Sequence, residues 1–326
     1  MLAASRALIT GANGQLGVYL AALLAHRGYE VVGLVRPESL ATARSTVDAR
    51  VRLEPLDLLS QSALDEQVQS VQPTHVFHLA ARLSVNESWD DPILHADVNA
   101  LGTARVLEAL RRYAPEARVF YASSSEALGR AASMSEVFDE GSPLRPATPY
   151  GASKAFGHHL VQSYRDRYGM HAVCGLLFNM ESPVGERASV VQHVAASMVR
   201  IAEGRQAASM DIGNLDAQRD WGFAGDYAEA VALMLEAPEP EDFVIATGVV
   251  HTVRDLVEAA ASAVGIAVPT LRVAEDRLRP GEVNRIAADP SRIRERLGWS
   301  ARTDLDGLLR TMVADPAFRA RALATG

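Results

Sequence analysis

A chain of 326 residues is too long for one ordinary domain, and a formal net charge of -8 excludes the basic surface that nucleic-acid binding needs. Hydrophobic residues make up 48%, enough for a sizeable buried core, yet no run is long and apolar enough to span a bilayer. The lone cysteine, Cys174, excludes an intramolecular disulfide and fits a reducing compartment.

The mildly apolar start, residues 1–10, runs straight into a glycine motif. It reads as a first strand, Arg6–Thr10, rather than as a signal peptide, so a cytoplasmic protein is expected. The motif is Gly11-Ala12-Asn13-Gly14-Gln15-Leu16-Gly17, directly after that strand and opening a helix over 15–27 that stops at Gly28. One glycine permits the tight turn, one lets backbone N–H groups reach a pyrophosphate, and one lets the helix pack close to the sheet. The helix N-terminus then attracts the phosphates, so the segment reads as a dinucleotide site.

The second strand, Glu30–Val35, ends in Arg36, where an NAD enzyme commonly carries an acid for the ribose 2′-hydroxyl. A guanidinium suits a 2′-phosphate, which points to NADP with NAD as the alternative; a solvated surface arginine is the plain reading. A third strand over 50–54 is followed by Asp57, which can accept from an adenine amino group or cap the helix over 60–71. Strand 75–79, a helical stretch over 93–112 and strand 118–123 continue the alternation.

That last strand runs into Ser123-Ser124-Ser125-Glu126, at the sheet edge where open α/β folds bind ligands. A hydroxyl there can hold an oxygen being oxidised. A carboxylate beside it is superfluous for simple alcohol oxidation but needed where a proton is removed next to a new carbonyl and water is lost. Glu126 can instead cap a helix or form a surface ion pair. The helix over 149–168 opens with Tyr150-Gly151-Ala152-Ser153-Lys154, which sets a phenol and an ammonium one turn apart on one face. The ammonium stabilises phenolate, and the pair can take a proton from a hydroxyl as hydride leaves.

Strand 171–177 holds Cys174, a buried structural thiol in an apolar run. Turn-rich stretches at 181–188 and 213–225 follow, with short helices near 189–203, 226–236, 252–264, 290–297 and 304–314, and a further strand at 242–246. The fold class is therefore α/β: a Rossmann-type parallel sheet with helices on both faces, plus a smaller mixed α/β C-terminal lobe. The boundaries read as 1–178 with parts of 214–250 for the dinucleotide domain, and 179–213 with 251–326 for the lobe.

Taken together, the glycine turn, the serine cluster and the Tyr150–Lys154 pair resemble the extended short-chain dehydrogenases that act on nucleotide sugars. Within them the chain is most similar to the GDP-mannose 4,6-dehydratases, from Ala7 to Trp299. The more specific matches are Phe178-Asn179-Met180-Glu181-Ser182-Pro183, the run from Gly213 to Gly222, the segment Val244-Ile245-Ala246-Thr247-Gly248, and Arg279-Pro280-Gly281-Glu282-Val283. The resemblance implies a redox-neutral cycle: Tyr150 and Lys154 deprotonate the C4 hydroxyl, hydride passes to NADP, Glu126 takes the C5 proton as water leaves C6, and hydride returns to C6. Ser124 stands where the family has threonine, with Ser125 beside it.

It further implies that Leu58, Leu79, Ala80, Ala81, Leu177 and Asn179 border the cofactor. Ser84, Asn179, Val190, His193, Arg219, Arg279 and Glu282 would border a nucleotide-diphosphate sugar; no metal is implied. Val191-Gln192-His193 replaces the family's Thr-Arg-Lys, Val184-Gly185 replaces its paired arginines, and Leu16 replaces its aspartate. Those arginines are associated with tetramer contacts, so a homodimer through a four-helix bundle is expected, built on 93–112 and 149–168. A 4-epimerase or 4-ketosugar reductase would keep Ser124, Tyr150 and Lys154 without needing Glu126 as a base. A non-catalytic NADP sensor would need none of them.

Overall fold

The computed structural model describes residues 5–129, 137–185, 189–274 and 285–324. In chain order the first strands are β1 (Arg6–Thr10), β2 (Glu30–Val35), β3 (Arg52–Pro55), β4 (His75–His78), β5 (Arg118–Ser124) and β6 (Ala172–Leu177). They are followed by β7 (Asn179–Glu181), β8 (Ser209–Ile212), β9 (Gln218–Arg219), β10 (Trp221–Phe223), β11 (Phe243–Ile245), β12 (His251–Thr252) and β13 (Thr270–Val273). The helices of the first half are α1 (Gln15–His26), α2 (Leu40–Ala43), α3 (Gln61–Val71), α4 (Glu87–Asp90), α5 (Pro92–His95), α6 (Gly102–Tyr113) and α7 (Pro149–Tyr168). Those of the second are α8 (Val190–Ala202), α9 (Ala224–Glu236), α10 (Val253–Val264), α11 (Ser291–Leu297), α12 (Leu305–Ala314) and α13 (Pro316–Ala324).

Seven strands form one parallel sheet in the order β11-β6-β5-β4-β1-β2-β3. The inner strands are apolar on both faces, as Val31 to Val35 and Ala172 to Leu177 illustrate, because helices cover both sides. On one face Leu16, Leu20 and Leu24 of α1 pack with α9 over Ile9, Phe77 and Phe120. On the other, Leu64 and Val68 of α3, Val106 and Leu110 of α6 and Val161 of α7 cover Leu8, Val76 and Tyr121. A separate core joins Val194 and Met198 of α8, Leu256 and Ala260 of α10, Leu309 and Met312 of α12, and Phe318 of α13.

Three departures from the sequence expectations have physical causes. The 93–112 stretch is not one helix: α5 passes into α6 through a π-helical segment, Ala96–Leu101. The turn-rich stretches hide two-stranded pairs, β7 with β10 and β9 with β12, too short to show a two-residue period. Asp57 does not cap the following helix. Its carboxylate accepts from Leu59 N at 3.0 Å in the preceding turn, while Ser60 caps α3 by accepting from Ala63 N.

Candidate active site

The carboxyl ends of β2, β1, β4, β5 and β6 lie side by side and gather the chemistry along one edge. Gly11, at φ +73°, accepts the turn that no L side chain favours, and its amide donates to Leu34 O at 2.9 Å. A Cβ at Gly17 would stand 2.3 Å from Gly11 O, so the α1 helix can sit over the turn only with glycine there. No side chain caps α1 and its first turn carries no acid, which fits a phosphate at this N-terminus. Asn13 and Gly14 sit at the open rim of the turn, whereas Leu16 is buried and offers only its backbone.

The Gln15 side chain is committed elsewhere, donating to Met180 O at 2.8 Å and accepting from Ser182 Oγ at 2.9 Å. Leu79 and Ala80 are tied to β1, through Thr10 O at 3.2 Å and Thr10 Oγ1 at 3.2 Å. Thr10 Oγ1 in turn lies 2.8 Å from His78 Nδ1, and burial pushes that imidazole down to about 3, so it is neutral. Arg36 is exposed and pairs only with Glu38, at 3.1 Å, among the described residues. Leu58 and Ala81 are partly buried at the same edge.

At the other end of this strand edge stand β5 and α7. Thr148 caps α7 by accepting from Gly151 N at 3.0 Å, and Pro149 opens it, so Tyr150 sits in the first turn. A Cβ at Gly151 would lie 2.4 Å from the backbone oxygen of Glu126. Glycine therefore lets α7 press on the turn that carries Glu126. That turn is fixed from its other side by Ser124, whose Oγ accepts from Glu126 N at 3.2 Å. Ser125 and Glu126 are half-buried there, Tyr150 is buried, and Leu177 pairs with Ser124 across β6.

Lys154 is buried, donates from Nζ to Ala122 O at 2.7 Å, and lies 5.1 Å from the Tyr121 ring centroid. Desolvation depresses its pKa to about 7, far below a free lysine. The native state binds fewer protons than the unfolded chain between pH 7 and pH 10.5, so this group makes stability rise with pH across that window. Wild type is expected to gain about 2 kcal/mol between pH 7 and pH 9 relative to Lys154→Met, measured by urea unfolding. Equal pH slopes in the two proteins would refute the depressed ammonium.

Asn99 was not legible as a site residue. It lies in the π-helical segment, buried, where Oδ1 accepts from Arg82 N at 2.8 Å and Nδ2 donates to Arg82 O at 3.0 Å and Ser153 Oγ at 3.1 Å. It locks the loop after β4 to α7, and the only sequence signal was a polar residue in a helix-like run ahead of Gly102. His158, Cys174 and Asp242 also converge, with ligand atoms within 4.8 Å. Arg165 takes both Asp242 oxygens, at 2.9 and 3.0 Å, so this is an ion-pair network anchoring α7.

The residues expected to border the substrate are spread over both parts of the chain. Asn179 opens β7 and Val190 opens α8, while Arg219 stands on β9 with one N–H on Gln218 O. Ser84 accepts from Glu87 N in the loop after β4. His193 donates from Nε2 to Asp211 O at 3.2 Å and faces a cavity between α8 and α13. Arg279 and Glu282 lie outside the described residues.

A family model described as GDP-mannose 4,6 dehydratase matches residues 8–312. The chain belongs to the GDP-mannose 4,6-dehydratase family. It is 36% identical to the GDP-mannose 4,6 dehydratase of Cricetulus griseus over 94% of this chain and 90% of that protein. It is 34% identical to the GDP-mannose 4,6-dehydratase of Vibrio cholerae over 98% and 95%. Among solved structures, the Thermus thermophilus UDP-glucose 4-epimerase in complex with NAD superposes with a TM-score of 0.84 at 32% identity, over 96% of this chain and 99% of that one. The chain thus stands in a nucleotide-sugar branch of the short-chain dehydrogenase/reductase type. Among the described residues no helix is long and apolar enough to cross a membrane.

Proposed function

We propose that this protein is a 4,6-dehydratase converting GDP-mannose to GDP-4-keto-6-deoxymannose with NADP as cofactor. The observation that carries the reading is Glu126, held by Ser124 on one side and pressed by Gly151 on the other, next to Tyr150. Tyr150, its phenolate stabilised by the Lys154 ammonium, takes the proton of the C4 hydroxyl, and Ser124 holds that oxygen. When bound, the nicotinamide cofactor would supply the hydride chemistry between C4 and C6. Glu126 takes the proton from C5, now acidified by the C4 carbonyl. The electron pair forms the C5–C6 double bond as the C6 hydroxyl leaves with a proton, as water. A proton then returns to C5 as C6 receives hydride, so no net oxidant is consumed.

The test is turnover of GDP-mannose in D2O with the product read by mass spectrometry and NMR: a 4-keto-6-deoxy product carrying deuterium at C5 is expected. A 4-epimerised hexose without that label would replace this reading with epimerisation, the activity named for the Thermus neighbour. The preference for NADP rests on Arg36, whose exposed pair with Glu38 is worth little in water and yields readily to a 2′-phosphate. The diphosphate is assigned to Asn179 and Val190 of the lobe, 179–213 and 251–326, together with Arg219 of β9.

We also read the assembly as a homodimer. Of the apolar positions on the two long helical segments, Val106, Leu110 and Val161 are buried against the sheet, and Leu160 and Tyr164 are half-buried. Leu101 and Phe156 remain exposed, and Trp89 and Ile93, at 63% and 82% exposure, extend the same apolar stretch through α4 and α5. Pairing these faces across a two-fold axis makes a four-helix bundle. Ile93→Asp with Phe156→Asp is expected to raise the dimer dissociation constant by roughly a hundredfold or more, read by sedimentation. An unchanged dimer would place the interface elsewhere.

A further inference from the structure

A chain of buried side-chain hydrogen bonds crosses the sheet beneath the site, and the chemistry above does not use it. Thr10 and His78 are register partners on the adjacent parallel strands β1 and β4, so their side chains leave the sheet on one face. There α6 brings Thr103 onto His78, and all three side chains are buried. The direction of the chain follows from its far end. Thr103 Oγ1 donates to Asn99 O at 2.6 Å, a pure acceptor, so its proton is committed there. The Tyr121 hydroxyl, which also meets Thr103, has a proton of its own to give. His78 Nε2, 3.2 Å from Thr103 Oγ1, is therefore the donor of that pair. Burial keeps the imidazole neutral and the nearby Lys154 ammonium acts in the same sense, so Nδ1 carries no proton. Thr10 then donates to Nδ1 at 2.8 Å and accepts from Ala80 N at 3.2 Å.

The two ends of this chain meet the two halves of the site. Ala80 lies against the glycine turn, where a Cβ on Gly11 would stand 2.9 Å from the Ala80 Cα. Asn99 donates from Nδ2 to Ser153 Oγ at 3.1 Å, and Ser153 donates to Tyr150 O at 2.7 Å. One end thus touches the cofactor turn and the other touches the opening turns of α7.

We propose that His78 is a positioning residue for hydride transfer: locked as the neutral Nε2–H tautomer, it fixes the cofactor turn against the segment that orients Tyr150. The role rests on the reaction proposed above. Hydride passes only between carbons nearly in contact, and a misplacement of about an ångström can cost about a hundredfold in rate. An imidazole is flat and rigid, with two nitrogens at a fixed separation, so it spaces the Thr10 and Thr103 hydroxyls as no flexible side chain does. Each buried polar group in the chain is satisfied, which makes the spacing specific as well as stable. The neutral ring also spares Lys154 a second cation across Tyr121, whose ring centroid is 5.8 Å from the imidazole and 5.1 Å from Lys154 Nζ.

Two variants of the full-length protein test the role. His78→Asn keeps a polar group at the Nδ1 position for Thr10 and loses the donor to Thr103, whereas His78→Gln keeps that donor and loses the acceptor for Thr10. Both are expected to bind NADP+ and GDP within about threefold of wild type, which reports that they fold. Both should form reduced nicotinamide from GDP-mannose about tenfold to a hundredfold more slowly in single turnover, with KM little changed. In wild type carrying nitrogen-15-labelled histidine, the NMR signals that vanish in His78→Asn should show a protonated Nε2 and a bare Nδ1 down to about pH 5, below the ordinary imidazole pKa of about 6.5. Hydride transfer at the wild-type rate in both variants would overturn the positioning role, and a cationic or Nδ1–H ring would overturn the lock. A wild type that never reduces nicotinamide with GDP-mannose would overturn the dehydratase reading and this role with it.

Discussion

Glu126→Gln is expected to lower kcat for dehydration about a thousandfold while the protein still oxidises C4. General base catalysis is worth 10² to 10⁴ in rate, and the amide has no basicity to replace it. The change is isosteric, and two contacts that place the turn are made by the backbone of Glu126: its N on Ser124 Oγ and its O against Gly151. The split between steps is therefore the diagnostic. Under single-turnover conditions the variant should form reduced nicotinamide, seen by its near-ultraviolet absorbance, and then stall without C5 deuterium exchange. A variant that still exchanges C5 at the wild-type rate would show that another group removes that proton and would remove the case for dehydration by this carboxylate.

Tyr150→Phe is expected to cost a comparable or larger factor, roughly 10³ to 10⁴ in kcat, by stopping the cycle one step earlier. A phenol normally ionises near pH 10 and needs the neighbouring ammonium to act as a base at neutral pH. Removing the hydroxyl leaves the hydrogen bond of Lys154 to Ala122 O in place. Here no transient reduced nicotinamide should appear, and C5 exchange should be lost along with it. NADP+ affinity should stay within about threefold of wild type, which separates lost chemistry from lost binding. Accumulation of reduced cofactor in this variant would mean that a different group takes the C4 proton.

Much of the fold along this strand edge was legible because its residues sit where periodic elements begin or end. Strand, turn and helix follow from the glycine spacing at 11–17, and the helix over 149–168 was placed as expected; Pro149 opens it and Gly169 closes it at φ +67°. What escaped lacks a period or needs a third dimension. The lobe strands run two to four residues, as Gln218–Arg219 and Ser209–Ile212 do, too short for alternation to register. Asn99 escaped because its importance lies in three hydrogen bonds to partners 17 and 54 positions away. Gln15 was read with the phosphates on sequence proximity, whereas its amide group reaches 165 residues along the chain. Lys154 was assigned its partner by spacing alone; that burial would also soften its charge depended on Tyr121 and Ala122 closing around it.

The close approach of Gly151 to the Glu126 carbonyl joins the two groups proposed to react, Tyr150 and Glu126, into one jaw. Such a jaw has a fixed bite: the hexose must present C4 to one tooth and C5 to the other without help from a yielding hinge. Discrimination between sugars then falls to whatever steers the ring into the jaw, so exchanging lobe loops should retune the substrate while the teeth keep the same stroke.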